Sequence, residues 1–216
     1  MNGRVSAIVV AAGEGRRFGT PKQFALIGGR RVLDWSVDAA RSVATTVVLV
    51  VPRESIHDPS FHAAADLVVP GGATRTDSVR AGMGVLAEDS DIVVIHDAAR
   101  PLASADLFRS VVAAVAGGAD GAVPGLPVSD TVKRVSAGRV VVTVDRSDLV
   151  AVQTPQAFRV SVLRRAHAAA SSTGATDDAA LLEQLGAVVV VVPGEARNIK
   201  LTSPDDLALL QAWTSQ

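Results

Sequence analysis

Short apolar runs alternate with longer amphipathic stretches along most of the chain. The apolar runs are nearly continuous in Val, Ile and Ala, which is typical of strands covered on both faces; they occupy residues 5–11, 46–51, 67–69, 92–95, 119–123 and 187–192. The stretches with helical spacing occupy residues 31–43, 76–86, 105–116, 160–170, 177–185 and 204–213. Strand–helix alternation predicts βαβ units and a mostly parallel sheet. We therefore expect the α/β class and a single domain over residues 1–216.

The last predicted helix carries a start signal. Ser203 is placed as its N-cap, Pro204 as its first helical residue, and Asp205 and Asp206 near its positive end. All three features are typical of helix N-termini.

Residues 128–150 break the alternation of strands and helices. Alternating polar and apolar residues flank Ala137 and Gly138, a pattern that predicts a β-hairpin. The hairpin follows the fifth predicted strand and has no helical partner. Because an isolated two-stranded hairpin is marginal in water, we expect this arm to pack against a second subunit of a homodimer.

Composition narrows the possible partners and chemistry. The 21 Lys and Arg residues against 22 Asp and Glu residues give a net charge of −1, so no overall nucleic-acid-binding surface is expected. The absence of Cys excludes disulfides, thiolate catalysis and cysteine metal sites. No apolar run is long enough to span a membrane and no signal-peptide pattern is present, so we expect a cytoplasmic protein with no membrane partner.

The first predicted strand leads into a loop that combines glycines with cations. Its residues of interest are Ala11, Ala12, Gly13, Gly15, Arg16, Arg17 and Lys22. The two glycines permit φ > 0 and a close approach of the backbone to a ligand, and successive N–H groups in such loops bind anions. The three cations favour phosphate binding over the alternative of a plain tight turn with solvated arginines.

Two familiar glycine-rich motifs do not fit this loop. A Walker A loop has Lys followed by Ser or Thr after its last glycine, where this chain has Arg16 and Arg17. In a dinucleotide fingerprint the third glycine would come one residue before Gly19, and Pro21 interrupts the helix that should follow. Neither a Walker A loop nor a dinucleotide fingerprint is therefore present, and a dehydrogenase is disfavoured.

A specific resemblance extends along nearly the whole chain. The motifs that carry it, in order, are 11–18 with 21–23, 71–79, 96–101, 130–133 with 143–146, 153–158, 176–179 and 198–200. This set resembles the 2-C-methyl-D-erythritol 4-phosphate cytidylyltransferases of the non-mevalonate isoprenoid pathway. The resemblance implies a Rossmann-like nucleotidyltransferase fold with a mostly parallel central sheet and a protruding β-hairpin arm, residues 128–150, that forms a homodimer.

The resemblance also implies a reaction and a set of substrate contacts. CMP would pass from CTP to a sugar-alcohol phosphate, methylerythritol phosphate, by in-line attack of the acceptor phosphate on the CTP α-phosphate. The residues expected to bind CTP are Ala11, Ala12, Gly13, Gly15, Arg16, Gly72 and Ser78. The residues expected to bind the acceptor are Asp97, Thr131, Arg146, Thr154 and Lys200, with the arm residues coming from the neighbouring subunit.

Four cations are expected to be catalytic. Arg17 and Lys22 would stabilise charge on the α-phosphate and on the leaving pyrophosphate. Arg146 and Lys200 would hold the acceptor phosphate, although Arg146 has an alternative in an ion pair with Asp145 or Asp148.

Asp97 is the candidate metal ligand. It follows a predicted strand at its carboxyl end, and one carboxylate that holds Mg²⁺ together with phosphates and water fits the habit of this ion. The alternative is a turn in which Asp97 pairs with Arg100. His96 is interpreted as structural, because no second metal ligand lies near it in sequence.

Two positions depart from the family pattern, and one structural and two functional alternatives stay open. The family commonly has an acid near Ala73 or Thr74, and relatives often have one where this chain has Arg197. For Gly72 and Ser78, which would read the cytosine edge, a plain glycine turn and helix start is equally compatible. Ribitol-5-phosphate cytidylyltransferase and a non-catalytic nucleotide-binding protein are the alternative functions.

Overall fold

A central sheet with helices on both faces forms the body of the protein. The computed structural model describes residues 3–13, 22–170 and 177–215. The strands are β1 (Arg4–Val10), β2 (Leu26–Ile27), β3 (Arg30–Arg31), β4 (Thr46–Val51), β5 (Leu67–Pro70), β6 (Ser90–Asp97), β7 (Gly121–Pro127), β8 (Val132–Ser136), β9 (Arg139–Val144), β10 (Val150–Val152), β11 (Gln156–Arg159) and β12 (Val189–Pro193). The α-helices are α1 (Val32–Arg41), α2 (Pro59–Ala64), α3 (Arg75–Met83), α4 (Ala105–Ala116), α5 (Val160–Ala169), α6 (Asp178–Gln184) and α7 (Pro204–Thr214).

The eight-stranded sheet is mostly parallel, as predicted. β1 lies between β4 and β6 and is parallel to both, β5 extends this side in parallel, and β12 is parallel to β7. Two short strands that the apolar pattern did not predict run the other way: β11 lies between β6 and β7, and β10 pairs with the end of β7. The α/β fold class is confirmed.

The continuous apolar runs are explained by burial on both faces of the sheet. Ala7 and Val9 of β1 pack in the cluster that includes α1 and α4, whereas Ile8 packs on the opposite face with α3, α5 and α6. Burying one large aliphatic side chain of this kind stabilises the fold by roughly 1.5–3 kcal/mol. A third, smaller cluster joins β2 and α7 around Ile27 and Leu210.

The predicted start of the last helix is confirmed. Ser203 accepts a hydrogen bond from the Asp206 N–H and completes a capping box at the start of α7. The short helix α2 was not predicted; it begins at Pro59 with Asp58 as its N-cap. No helix in the described residues combines the length and the apolar character needed to cross a bilayer.

The hairpin predicted within residues 128–150 is also confirmed. β8 and β9 pair with each other in a separate two-stranded sheet. The turn places Ala137 and Gly138 at φ values of 47° and 75°, as the tight hairpin turns of type I′ require. Val135, Val140 and Val141 on the hairpin are each more than half exposed. The arm therefore gains little stability from packing on the rest of this chain.

Candidate active site

A cleft of about 530 Å³ opens at the carboxyl ends of the parallel strands, where ligands bind in open α/β sheets. The segments that follow β1, β5, β6 and β12 form it. The described residues that line it are Val10, Ala11, Ala12, Gly13, Lys22, Gln23, Gly72, Ala73, Thr74, Arg75, Ser78, Asp97, Ala98, Ala99 and Lys200.

The cleft brings together much of the predicted site. The predicted residues that line it are Ala11, Ala12, Gly13, Lys22, Gly72, Ser78, Asp97 and Lys200. Gly15, Arg16 and Arg17 lie outside the described residues. Thr131, Arg146 and Thr154 are described but are not part of the cleft wall.

Lys22 is held at the cleft wall by a remote segment of the chain. Its Nζ donates to the Leu201 carbonyl at 2.6 Å, and the Leu201 N–H donates to the Ala99 carbonyl at 2.8 Å. Gln23 donates to the Gly13 carbonyl at 3.2 Å. Gly13 does not use the positive φ that glycine permits.

Asp97 lies between two cations in the cleft. Its Oδ1 accepts from Arg75 Nε at 3.1 Å and its Oδ2 accepts from Lys200 Nζ at 2.6 Å. Burial alone would raise the pKa of Asp97, but the charges of Arg75 and Lys200 lower it well below its usual range. The carboxylate is therefore ionised. The Arg100 side chain instead donates to the Asn198 carbonyl at 2.7 Å, so the alternative ion pair with Asp97 is wrong. The turn itself is present, because the Arg100 N–H donates to the Asp97 carbonyl at 2.9 Å.

Arg75 is a central residue of the site to which the sequence alone assigned no role. It is the first residue of α3, and its Nη1 donates to Asp178 Oδ2 at 2.6 Å. Asp178 is 1 % exposed and also accepts from His167 Nε2 at 3.0 Å. Arg75 and Asp178 each stand within a recognised motif, but they lie 103 residues apart, so sequence spacing could not pair them.

Thr154 and His96 form a buried support behind Asp97. The Thr154 hydroxyl accepts from the Asp97 backbone N–H at 3.0 Å and lies 3.1 Å from His96 Nδ1, while His96 Nε2 lies 3.1 Å from the Arg100 carbonyl. Since a carbonyl only accepts, His96 carries its proton on Nε2 and Nδ1 accepts from Thr154. Burial lowers the pKa of His96 to about 4, so the ring is neutral. The structural interpretation of His96 agrees with this geometry, and the contact of Thr154 with the acceptor stays a prediction.

The turn after β5 approaches the first loop closely. A Cβ added to Gly71 would lie 2.3 Å from the Ala12 Cβ, and one added to Gly72 would lie 2.3 Å from the Asp77 Cβ, so both positions require glycine. The Ser78 hydroxyl accepts from the Gly72 N–H at 3.2 Å and donates to the Thr74 carbonyl at 3.0 Å. These groups shape the cleft wall, and their contact with a cytosine edge stays a prediction.

The two departures from the family pattern have structural roles. Thr74 is the N-cap of α3 and forms a capping box with Asp77. Arg197 stacks over the Trp213 ring at 5.3 Å and donates to the Trp213 carbonyl at 3.2 Å. Arg197 is therefore engaged with α7.

The predicted arm residues lie away from the cleft wall of their own chain. Arg146 donates to the backbone carbonyls of Val128, at 2.8 Å, and Ser129. It thereby joins the two ends of the arm, in place of the alternative ion pair with Asp145 or Asp148. Thr131 is exposed at the start of the arm.

Comparison with known proteins agrees with this geometry. The family model for 2-C-methyl-D-erythritol 4-phosphate cytidylyltransferase (IspD) matches residues 5–216. The cytidylyltransferase of that name from Rhodococcus jostii is 45% identical over 220 residues, which cover 99% of this chain and 96% of the relative. This chain belongs to that family.

Solved structures show that the family fold is also shared. A 2-C-methyl-D-erythritol 4-phosphate cytidylyltransferase structure from Thermus thermophilus superposes with a TM-score of 0.85 at 37% identity, covering 99% of this chain and 100% of that one. A 4-diphosphocytidyl-2C-methyl-D-erythritol synthase from Anaerococcus prevotii gives a TM-score of 0.86 at 29% identity, with both chains fully covered. The Rossmann-like nucleotidyltransferase fold is confirmed, and so is the nucleotidyltransferase class.

Proposed function

We propose that this chain transfers CMP from CTP to 2-C-methyl-D-erythritol 4-phosphate in the cleft described above and releases pyrophosphate. The observation that carries this function is that Lys22 and the Asp97–Lys200 ion pair line the same cleft. The chain that forms this cleft matches the family from residue 5 to residue 216. The nucleophile is an oxygen of the acceptor phosphate. The protein must therefore align two polyanions and stabilise the charge that develops between them.

One half of the cleft suits the CTP triphosphate. Ala11, Ala12 and Gly13 follow β1 and offer backbone to the ligand, and Lys22 lies beside them. The contact with Leu201 orders the Lys22 side chain, which reduces the entropy cost of phosphate binding. Arg17 is assigned to the same half with Lys22, where the two charges stabilise the α-phosphate and the leaving pyrophosphate. Arg16 supports them.

The other half suits the acceptor. Lys200 offers its ammonium to the acceptor phosphate, and Asp97 holds that ammonium at 2.6 Å. Thr154 orients the Asp97 backbone from behind. Arg146 and Thr131, which do not line the cleft of their own chain, are assigned to the acceptor site of a second subunit. The arm, residues 128–150, is accordingly proposed as the contact of a homodimer.

Mg²⁺ is the proposed cofactor, with Asp97 as its protein ligand. Asp97 is the only acidic side chain among the described residues that line the cleft, and it is ionised. No group of three metal-ligating side chains exists in residues 3–13, 22–170 and 177–215. One carboxylate with substrate phosphates and water is the usual environment of Mg²⁺, so the residues fit this ion. When bound, the ion would neutralise phosphate charge between the two substrates.

The competing functions are less well supported. The family match and the relatives described above carry the methylerythritol phosphate name, so ribitol-5-phosphate cytidylyltransferase is not favoured. Lys22, Asp97 and Lys200 are all present in the cleft, as transfer requires and mere nucleotide binding does not. A cytoplasmic location fits a consumer of CTP.

A pyrophosphate-release assay tests the proposal. The purified chain is assayed with CTP, ATP, GTP or UTP in combination with 2-C-methyl-D-erythritol 4-phosphate or ribitol 5-phosphate, with and without Mg²⁺. We expect release with CTP and methylerythritol phosphate, and dependence on the cation. Preferential turnover of ribitol 5-phosphate would support the alternative acceptor. No release with any pair would refute the function.

A further inference from the structure

Four charged side chains form a continuous row from the interior into the cleft. Asp178 contacts Arg75, Arg75 contacts Asp97, and Asp97 contacts Lys200 at N–O distances of 2.6, 3.1 and 2.6 Å. The signs alternate along the row. Asp178 stands at its buried end and does not line the cleft.

Arg75 and Asp97 do not form the two-hydrogen-bond pair that is usual for an arginine beside a carboxylate. A guanidinium beside a single carboxylate commonly binds both of its oxygens side-on, through Nε and the neighbouring Nη2. Here Arg75 uses only Nε on Asp97, and its Nη2 is buried with no hydrogen-bond partner among the described residues. The second oxygen of Asp97 is occupied by Lys200. Arg75 Nη2 and Lys200 Nζ are therefore competitors for Asp97 Oδ2.

Asp178 is placed to decide this competition. It holds Arg75 at 2.6 Å through Nη1, the nitrogen that a side-on pair through Nε and Nη2 does not use. Its other oxygen accepts from the buried His167, which prevents Asp178 from following Arg75 if the guanidinium turns. Without this hold, Arg75 is free to rotate into the side-on pair and to displace Lys200.

We propose that Asp178 is a positioning residue for the acceptor half of the site. By fixing Arg75, it makes Asp97 share its two oxygens between Arg75 and Lys200, and so keeps the Lys200 ammonium where the acceptor phosphate binds. This inference rests on the proposed function, because Lys200 matters only if the acceptor carries a phosphate.

A purely structural role explains the position less well. The N-cap of α6 is supplied by Asp177, whose side chain accepts from the Ala180 N–H at 3.0 Å, so the helix does not need Asp178 to begin. Buried ion pairs are also weak sources of stability compared with apolar packing of the same volume. A buried carboxylate that touches a cleft arginine is better explained by the geometry that it imposes.

The test is Asp178→Asn, with Asp177→Asn as the matched control on the same helix. Asparagine has the same shape but no charge, so it binds Arg75 more weakly. We expect kcat/KM for the acceptor to fall on the order of ten- to a hundredfold, as small misplacements of binding groups do. KM for CTP should stay near its wild-type value, because Lys22 is untouched. The control should keep both parameters, and thermal melts of all variants establish folding.

A double variant distinguishes positioning through Arg75 from any other effect. Arg75→Lys keeps the positive charge but has a single nitrogen and cannot form the side-on pair, so Lys200 should keep Asp97 Oδ2 and kcat/KM for the acceptor should fall much less than in Asp178→Asn. Adding Asp178→Asn to Arg75→Lys should then cost little more, since residues that act as one unit are not additive. If Asp178→Asn does not fold, His167→Leu decides the question, because it frees Asp178 to follow Arg75 and should give the acceptor-selective loss.

The outcomes separate this inference from the function beneath it. A wild-type chain that does not use CTP with methylerythritol phosphate refutes the function. An active wild type whose Asp178→Asn variant loses CTP and acceptor kinetics equally, or loses neither, refutes the positioning role alone. Fully additive losses in the double variant do the same.

Discussion

The charged row in the cleft and the hairpin arm differ in how they are built. Asp97 and Asp178 are buried, and each is held by partners from other parts of the chain. The arm is exposed, its two strands pair only with each other among the described strands, and Arg146 donates to backbone carbonyls at its base. The charged row is thus fully formed within one chain, whereas the arm has exposed valines that the described part of this chain does not cover.

Under the proposed function, this difference reflects two ways of organising one active site. Charges in the cleft are ordered by burial and by opposite charges, which a single fold supplies at a cost in desolvation. In the proposed function, Arg146 and Thr131 of the arm are ordered when a second subunit covers the exposed valines. Substitutions in the cleft should therefore act within the chain that carries them, whereas substitutions in the arm should act on the site of a second subunit.

The largest effect is expected at Lys22, which lines the same cleft as the charged row. Lys22→Ala removes an electrostatic donor from the triphosphate half, so turnover should fall on the order of a hundredfold or more while the chain stays folded. Pyrophosphate release and a thermal melt measure the two properties. Arg109→Ala, which removes an exposed cation on α4, is the control. Pyrophosphate release near the wild-type rate would remove Lys22 from the site.

Mixing two inactive variants tests whether the arm works on a partner. If Lys22 and Arg146 serve one site from different subunits, a dimer of Lys22→Ala with Arg146→Ala contains one site with both changes and one with neither. Random mixing should then recover about a quarter of the wild-type sites. Subunits are exchanged and assayed, and size-exclusion chromatography with light scattering establishes the dimer. Sites complete within one chain would show no recovery on mixing.

Lowering the pH should reduce the free energy of unfolding because His96 is buried in its neutral form. Its pKa is about 4 in the folded chain and near 6.5 when unfolded, so the unfolded state binds the proton first. The free energy of unfolding should therefore fall by up to about 3 kcal/mol between pH 6.5 and pH 4. Denaturant unfolding across this range measures the slope. His96→Gln should flatten it, whereas His62→Gln, at an exposed position, should leave it unchanged. An equal slope in both variants would show that His96 is not the source of the acid sensitivity.

The smallest effect is expected at the tip of the arm. Ala137 adopts a φ of 47°, which Asn tolerates better than Ala. Ala137→Asn should stabilise the hairpin by less than about 1 kcal/mol. Hydrogen exchange of the arm amides should slow, and the melting temperature of the protein should not change. A shift of the whole melting curve would show that the arm is coupled to the body within one chain.

The local patterns were predictable because they depend on near neighbours in the chain. Apolar runs, the Ser203 cap and the turn at Ala137 and Gly138 each reflect a few adjacent residues, and the structure confirms all of them. The two reversed strands were missed because β10 and β11 are too short to show a periodicity, and β11 owes its place between β6 and β7 to tertiary pairing.

The sequence by itself determined the α/β class, the glycine and cation loop, the arm and the carboxyl-end position of Asp97. Only the tertiary structure decided that Asp97 is shared between Arg75 and Lys200, that Asp178 holds Arg75 from behind, and that Arg146 stays outside the cleft of its own chain. The reason is physical. Parallel strands bring their carboxyl ends to one edge whatever the sequence distance, and the choice of ion pair there depends on burial and on competition between cations that no local pattern contains.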